Sequence, residues 1–216
     1  DLVRSRGLGD VYKRQDWDTP LPVATAEKWT NFRSQLQSMP DVIFDRCVLP
    51  FENTDSIQLI GFCDASQKAY GAAVYVRSVT SGKIVCRLLC SKSRIAPIAN
   101  TTIPRLELSS LLLLAQLIVS VKTALPFNIN DTFLFSDSTI AIAWAKSDVT
   151  RLKMYVGNRV QKIRKLIDVT NLLHIDTKNN AADIISRGLM PDEIHGCQTW
   201  FHGPEFLSKA TDEWPV

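Results

Sequence analysis

Four acidic residues, Asp64, Glu107, Asp137 and Asp183, sit where carboxylates could do chemistry together. Asp64 ends the run Ile60-Gly61-Phe62-Cys63, and a carboxylate beside Phe62 and Cys63 is costly unless something positive pairs with it. Asp137 closes a second apolar run ending at Ser136, Glu107 falls at the start of a long apolar segment, and Asp183 opens the last helical one. Each alone reads equally well as a turn or helix-capping residue. Together they suggest a metal site: clustered carboxylates repel unless a cation neutralises them, and hard oxygen ligands select Mg²⁺ or Mn²⁺. Two such ions bridged by shared carboxylates can activate a water and stabilise the leaving oxygen of a phosphodiester.

The elements that must position these acids follow from periodicity. Ser56 to Asp64, Ala69 to Arg77 and Lys83 to Lys92 read as three strands, with Ser78 to Gly82 as a turn, which implies an antiparallel meander. After a loop from Arg94 to Thr102, Thr101 or Thr102 is an N-cap and Pro104 lies in the first turn of a helix reaching Ala124, with Glu107 in that first turn. Being apolar nearly all round, this helix should lie centrally against the sheet. A fourth strand spans Asp131 to Ser136, and helices span Ser138 to Ser147 and Arg151 to Asp168. A short fifth strand runs from Asn171 to Ile175, containing His174, and a last helix from Asn180 to Arg187. In an α/β sheet, ligands bind outside the carboxyl ends of the strands. If the fourth strand lies beside the first, Asp64 and Asp137 become neighbours, and the helix start can bring Glu107 to the same point. The flanking segments are simpler. A helix from Thr25 to Ser38 carries Trp29, Phe32 and Leu36 on one stripe, Val42 to Leu49 reads as extended, and the chain after Gly188 is irregular.

Composition narrows the class. The 216 residues, 45% hydrophobic and 22% charged, suit one globular domain with attached segments. A net charge of +3 permits a polyanionic partner without demanding one. Five cysteines without a CxxC pair point to reduced thiols in an intracellular setting. His195, Cys197 and His202 follow no familiar zinc spacing. The run Leu108 to Val121 is interrupted by serines and Gln116 and is too short for a membrane span, so no membrane partner is expected. Lys153, Arg159, Lys162 and Lys165 share one helical face, either simply solvated or facing phosphates.

Six stretches, taken in order, carry a resemblance. They are Gly61-Phe62-Cys63-Asp64-Ala65-Ser66, Ser91-Lys92-Ser93-Arg94-Ile95-Ala96-Pro97 and Ile103-Pro104-Arg105-Leu106-Glu107-Leu108, then Ser136-Asp137-Ser138-Thr139, Val156-Gly157-Asn158-Arg159-Val160 and Asn180-Ala181-Ala182-Asp183-Ile184-Ile185-Ser186-Arg187-Gly188. With the order Asp, Glu, Asp, Asp, the chain from Leu59 to Gly188 resembles the ribonuclease H region of BEL/Pao-type retrotransposon polyproteins. The resemblance implies a ribonuclease H-like α/β fold: a five-stranded mixed sheet, an antiparallel three-strand meander plus two parallel strands, flanked by helices. It implies an endonuclease for the RNA strand of RNA–DNA hybrids, with Asp64, Glu107, Asp137 and Asp183 holding two Mg²⁺ (or Mn²⁺) ions. Hybrid contacts would fall to Lys92, Arg94, Arg105, Lys153, Arg159 and Lys162. The partners implied are the hybrid and the adjacent reverse transcriptase and integrase regions, in the cytoplasm within virus-like particles, or in the nucleus.

The domain division that follows is a non-native or disordered terminus over residues 1–15, the tail of a reverse transcriptase or connection segment over 16–55, a ribonuclease H-like domain over 56–190, and a linker toward integrase over 191–216. One departure is that the loop Asp176-Thr177-Lys178-Asn179 lacks the histidine many cellular ribonucleases H carry there, which implies slow turnover. The alternatives are a catalytically inactive, hybrid-binding or structural domain and, more remotely, an aspartic peptidase or an integrase. The peptidase needs Asp-Thr/Ser-Gly turns that neither Asp64 nor Asp137 has. An integrase would place its glutamate after the second strand-end aspartate, whereas Glu107 precedes Asp137.

Overall fold

A single sheet of five strands organises the chain, in a computed structural model that describes residues 19–51, 54–98 and 101–215. The expectation for residues 1–15 lies outside them. The strands are β1 (Ser56–Ala65), β2 (Ala69–Thr80), β3 (Lys83–Ile95), β4 (Asp131–Ser136) and β5 (Leu172–His174), in the order β3-β2-β1-β4-β5. β1, β2 and β3 pair antiparallel, while β4 runs parallel to β1 and β5 parallel to β4. This is the mixed sheet anticipated, with the fourth strand beside the first.

The hairpin between β2 and β3 is tighter than the sequence suggested. Ser78, Val79 and Thr80 go on pairing with β3, leaving only Ser81 and Gly82 as the loop, at φ 41° and 79°. A two-residue loop with both residues at positive φ matches the twist of the flanking strands, and Gly82 takes that conformation without steric cost. β3 likewise continues through Arg94 to Ile95, because Tyr70 and Ala69 still offer it partners. Residues 42–49 form no strand. Arg87 ties them to β3 instead, donating to Asp45 at 2.5 Å and to the Cys47 carbonyl.

The helices are α1 (Val23–Ser38), α2 (Ile103–Ala124), α3 (Thr139–Lys146), α4 (Met154–Leu166), α5 (Asp183–Arg187), α6 (Pro191–Ile194) and α7 (Gln198–His202). α2 starts at Ile103 with Thr102 as N-cap, so Glu107 lies in its second turn, not its first. α4 is shorter than its apolar spacing suggested, because Asp148 accepts from the Thr150 amide and caps a separate 3-10 turn at Val149–Arg151. α5 begins at Asp183 and not at Asn180, because Asn180 turns its side chain back onto the Ala182 amide. On α1 the expected stripe exists but is uncovered: no side chain is buried, and Trp29 is 56% exposed.

Strand alternation divides the core in two. Leu59, Cys63, Ala72, Val74 and Val76 face α2 and α4, meeting Leu108, Leu111, Leu114 and Ile118 of α2 and Val160 and Ile163 of α4. By length and composition α2 could cross a membrane, contrary to the sequence expectation, yet it serves as the central core helix, half of it buried. Ile60, Phe62, Ala73, Tyr75 and Phe135 face the opposite way and are covered by the end of the chain through Phe206, Leu207 and Trp214. Phe206 sits edge-on to Phe62, Phe135 and Trp214 with ring centroids 6.4, 5.7 and 5.6 Å apart. Arg77, only 2% exposed, fastens this cover: it donates to the Leu207 and Lys209 carbonyls at 2.7 and 2.6 Å and to the Gln58 side chain at 2.5 Å.

Candidate active site

β1 and β4 bring Asp64 and Asp137 side by side. Cys63 and Ser136 are the last register pair of these parallel strands, so the two aspartates follow at adjacent strand ends, with Cα atoms roughly 5 Å apart. Alternation also fixes their direction. Phe62 and Phe135 point to the face covered by the chain terminus, and Asp64 and Asp137, two residues on, share that face. α5 lies on it too. Gly71, paired with Asp64, makes room: a Cβ there would run into Ile185 of α5 and come within 3.0 Å of the Lys92 carbonyl.

Each carboxylate has a defined partner. Ser186 donates to Asp64 Oδ2. Thr177 and Asn180 donate to the two oxygens of Asp137, at 2.8 and 3.1 Å. Ser138, the N-cap of α3, donates to Glu107 Oε2 at 2.6 Å while accepting from the Ala141 amide. Arg187 pairs with Asp183 at 2.6 Å, one helical turn away. Burial, with the nearby charges of Asp137 and Asp183, raises the Asp64 carboxyl from 3.8 to about 6 despite the Ser186 bond. Burial and Asp137 raise Glu107 as well. The four acids thus form one electrostatic neighbourhood, and Asp64 and Glu107 are the members left short of positive charge.

Among the described residues no three His, Cys, Asp or Glu side chains already converge closely enough to grip an ion. In chemistry the set nevertheless fits a hard divalent cation: every donor is a carboxylate oxygen, and two of them hold protons more tightly than free carboxyls do. Histidine is absent from the set; His174 ends β5, exposed, in register with Ser136.

A stability prediction follows. The Asp64 carboxyl is raised on folding, so the folded protein holds that proton more tightly than the unfolded chain does. The resulting penalty is fully present above about pH 6 and vanishes below about pH 4. In chelator at pH 7.5, Asp64→Asn should therefore melt a few degrees above wild type, and the gap should close by pH 4. Equal or lower melting at pH 7.5 would mean that burying the ionised Asp64 carboxylate near Asp137 and Asp183 carries no such penalty.

The cations gather in two groups. Lys92 and Arg94 are exposed on β3, in the cross-strand rows that lead through Ala72 and Tyr70 to Cys63 and Ala65, about 10 Å from the Asp64 strand end. Arg105 and Arg159 lie over the Tyr155 ring, 4.8 and 3.5 Å from its centroid, joining the start of α2 to that of α4. Arg105 and Lys153 line a groove of about 740 Å³ with Arg151, Trp144 and Ile140. Lys162 is exposed two turns further along α4, about 10 Å from Tyr155, and joins neither group. The sequence reading missed Ser138, Thr177, Asn180 and Ser186, because hydroxyl and amide side chains near acids are too common to single out. The one available signal was the spacing of three residues on each side of Asp183.

Sheet order, pairing and flanking helices define a ribonuclease H-like α/β domain. The sequence profile of the Pao retrotransposon-like RNaseH-like domain matches residues 10–138, and the chain belongs to that family. The match includes Asp64, Glu107 and Asp137 and stops before Asp183. No curated protein matches the sequence. Among solved structures, the N-terminal RNase H domain of a Mycobacterium tuberculosis protein is 13% identical over 61% of this chain and 92% of that one, at a TM-score of 0.44. LC11-RNase H1 in complex with an RNA/DNA hybrid is 17% identical over 64% and 99%, at a TM-score of 0.41. RNase H1 from Halobacterium salinarum is 14% identical over 59% and 90%, at a TM-score of 0.36.

Proposed function

We propose that this chain is a retrotransposon ribonuclease H that hydrolyses the RNA strand of RNA–DNA hybrids during reverse transcription, with Mg²⁺ or Mn²⁺ as cofactor. The observation that carries the reading is the adjacency of Asp64 and Asp137 at parallel strand ends, within the charge range of Glu107 and Asp183, in a chain of this family. Asp64, Glu107, Asp137 and Asp183 would hold the ions. When bound, a pair of divalent cations activates a water and stabilises the leaving oxygen. The chain's own part is orientation: Ser186, Thr177, Asn180 and Ser138 hold three of the carboxylates, and Asp183, paired with Arg187, would have to exchange that partner to join them. Lys92 and Arg94 on one side, and Arg105, Lys153 and Arg159 on the other, offer contacts to the phosphates of the two strands, with Lys162 standing apart from both groups. Backbone contacts suit an enzyme that reads hybrid shape and 2′-hydroxyls rather than base sequence.

The Asp183–Arg187 pair, which occupies the fourth carboxylate, favours a second reading, a hybrid-binding domain without catalysis. Incubating the chain with hybrid labelled on the RNA strand, with and without Mg²⁺, separates the two. Mg²⁺-dependent cleavage of RNA in hybrid, and not of free RNA, supports the enzyme; binding without cleavage supports the inactive domain.

Hybrid affinity should be weak and modestly salt-dependent, since a net charge of +3 neutralises few phosphates. Lys92→Ala and Arg159→Ala should each weaken binding several-fold without altering the metal requirement. An adjoining reverse transcriptase region would hold the same hybrid and raise its effective concentration. Dissociation constants measured against salt, with and without that region, check this; tight binding by the isolated chain at physiological salt would contradict it.

A further inference from the structure

α5 does more than carry the fourth carboxylate. Asn180 stands three residues before Asp183 and Ser186 three after it, and both are buried, at 4% and 1% exposure. Buried amides and hydroxyls are costly unless hydrogen-bonded, so apolar residues would serve better here if packing were the only demand. Both spend their bonds on the strand-end aspartates. The Asn180 amide donates to Asp137 Oδ1 and to the Cys63 carbonyl, each at 3.1 Å, while its oxygen accepts from the Ala182 amide at 3.1 Å. One side chain thereby ties the end of β1, the Asp137 carboxylate and the start of α5. Ser186 donates to Asp64, and its carbonyl accepts from Ser66, just beyond β1, at 2.6 Å.

We propose that Asn180 and Ser186 are positioning residues for the hydrolysis, a pair that fixes the Asp137 and Asp64 carboxylates in mutual register. The proposal rests on the metal-dependent reading above, and its geometry is specific. A helix end placed between two adjacent strands reaches one aspartate from the residue before its own acid and the other from the residue after it. Thr177 assists at the second oxygen of Asp137. Groups that orient metal-ligating side chains typically matter by 10–100-fold in metal affinity or activity.

Ser186→Ala removes one oxygen and Asn180→Ala one amide group. Binding of Mn²⁺ alone, followed by electron paramagnetic resonance, and single-turnover cleavage of hybrid are measured for both variants, with hybrid affinity determined in chelator. Mn²⁺ affinity and the cleavage rate should fall by about 10–100-fold while hybrid affinity in chelator stays within about twofold. A merely structural role would lower all three together or none. Should Asn180→Ala fail to fold, Ser186→Ala decides for the pair, because it leaves the backbone bonds of α5 intact. If wild type cleaves and binds Mn²⁺ and the folded variants match it within about twofold, the positioning role is wrong and the ribonuclease reading stands. If wild type binds Mn²⁺ without cleaving, the affinities alone decide. If wild type does neither, the metal reading falls and the positioning role with it.

Discussion

Asp64→Asn and Asp137→Asn should each reduce cleavage of hybrid RNA by at least about a thousandfold, the largest effect expected of any single change in this chain. The two residues stand at adjacent ends of β1 and β4, so either loss removes a charge shared by the whole carboxylate group. Asparagine is nearly the same size and keeps an oxygen for the Ser186 or Thr177 hydroxyl; at position 137 its amide meets the Asn180 amide donor to donor, so Asp64→Asn is the cleaner of the two changes. Removing a repelling charge should, in chelator, leave Asp64→Asn more heat-stable than wild type. Loss of activity with gain of metal-free stability is a combination that misfolding cannot imitate. Added Mg²⁺ should then raise the melting temperature of wild type more than that of either variant, since ligand binding stabilises only a site that can bind. Cleavage by either variant at the wild-type rate would remove the hydrolytic assignment.

Deleting residues 204–216 should produce the largest loss of stability. Phe206, Leu207 and Trp214 are buried on the sheet face that carries Phe62, Tyr75 and Phe135, and each such side chain contributes about 2 kcal/mol by burial. The same deletion strips Arg77 of the Leu207 and Lys209 carbonyls and leaves a guanidinium facing an uncovered apolar surface. Together these losses are on the order of 5 kcal/mol, comparable to the whole stability of many domains. A shortened chain should therefore melt well over 10 °C lower, or fail to give a cooperative transition. Arg77→Met, which keeps the volume but leaves the tail carbonyls unpaired, should cost less than the deletion. A shortened chain as stable as wild type would show that the terminal segment merely rests on the sheet.

Sequence alone determined the strands, the central helix and the acids. β4 and the span of α2 are legible because apolar periodicity and turn residues are local signals. Asp64 and Asp137 were identifiable because each ends an apolar run, where an unpaired carboxylate needs an explanation. What only the tertiary structure decided depends on contacts between distant residues. The pairing of β1 with β4 makes neighbours of two acids separated by 73 positions, and no local pattern encodes that choice. The apparent irregularity after Gly188 conceals the cover of much of one sheet face, because Phe206, Leu207 and Trp214 have no period of their own and gain their meaning from Phe135 and Arg77. The stripe on α1 is the converse case: Trp29, Phe32 and Leu36 have the spacing of a core helix and remain exposed. Spacing can say which residues share a face, whereas burial requires a second surface that the helix itself does not encode. Asn180 and Ser186 lie deepest in this second category, since their bonds to Asp137 and Asp64 exist only once α5 has been laid over Gly71.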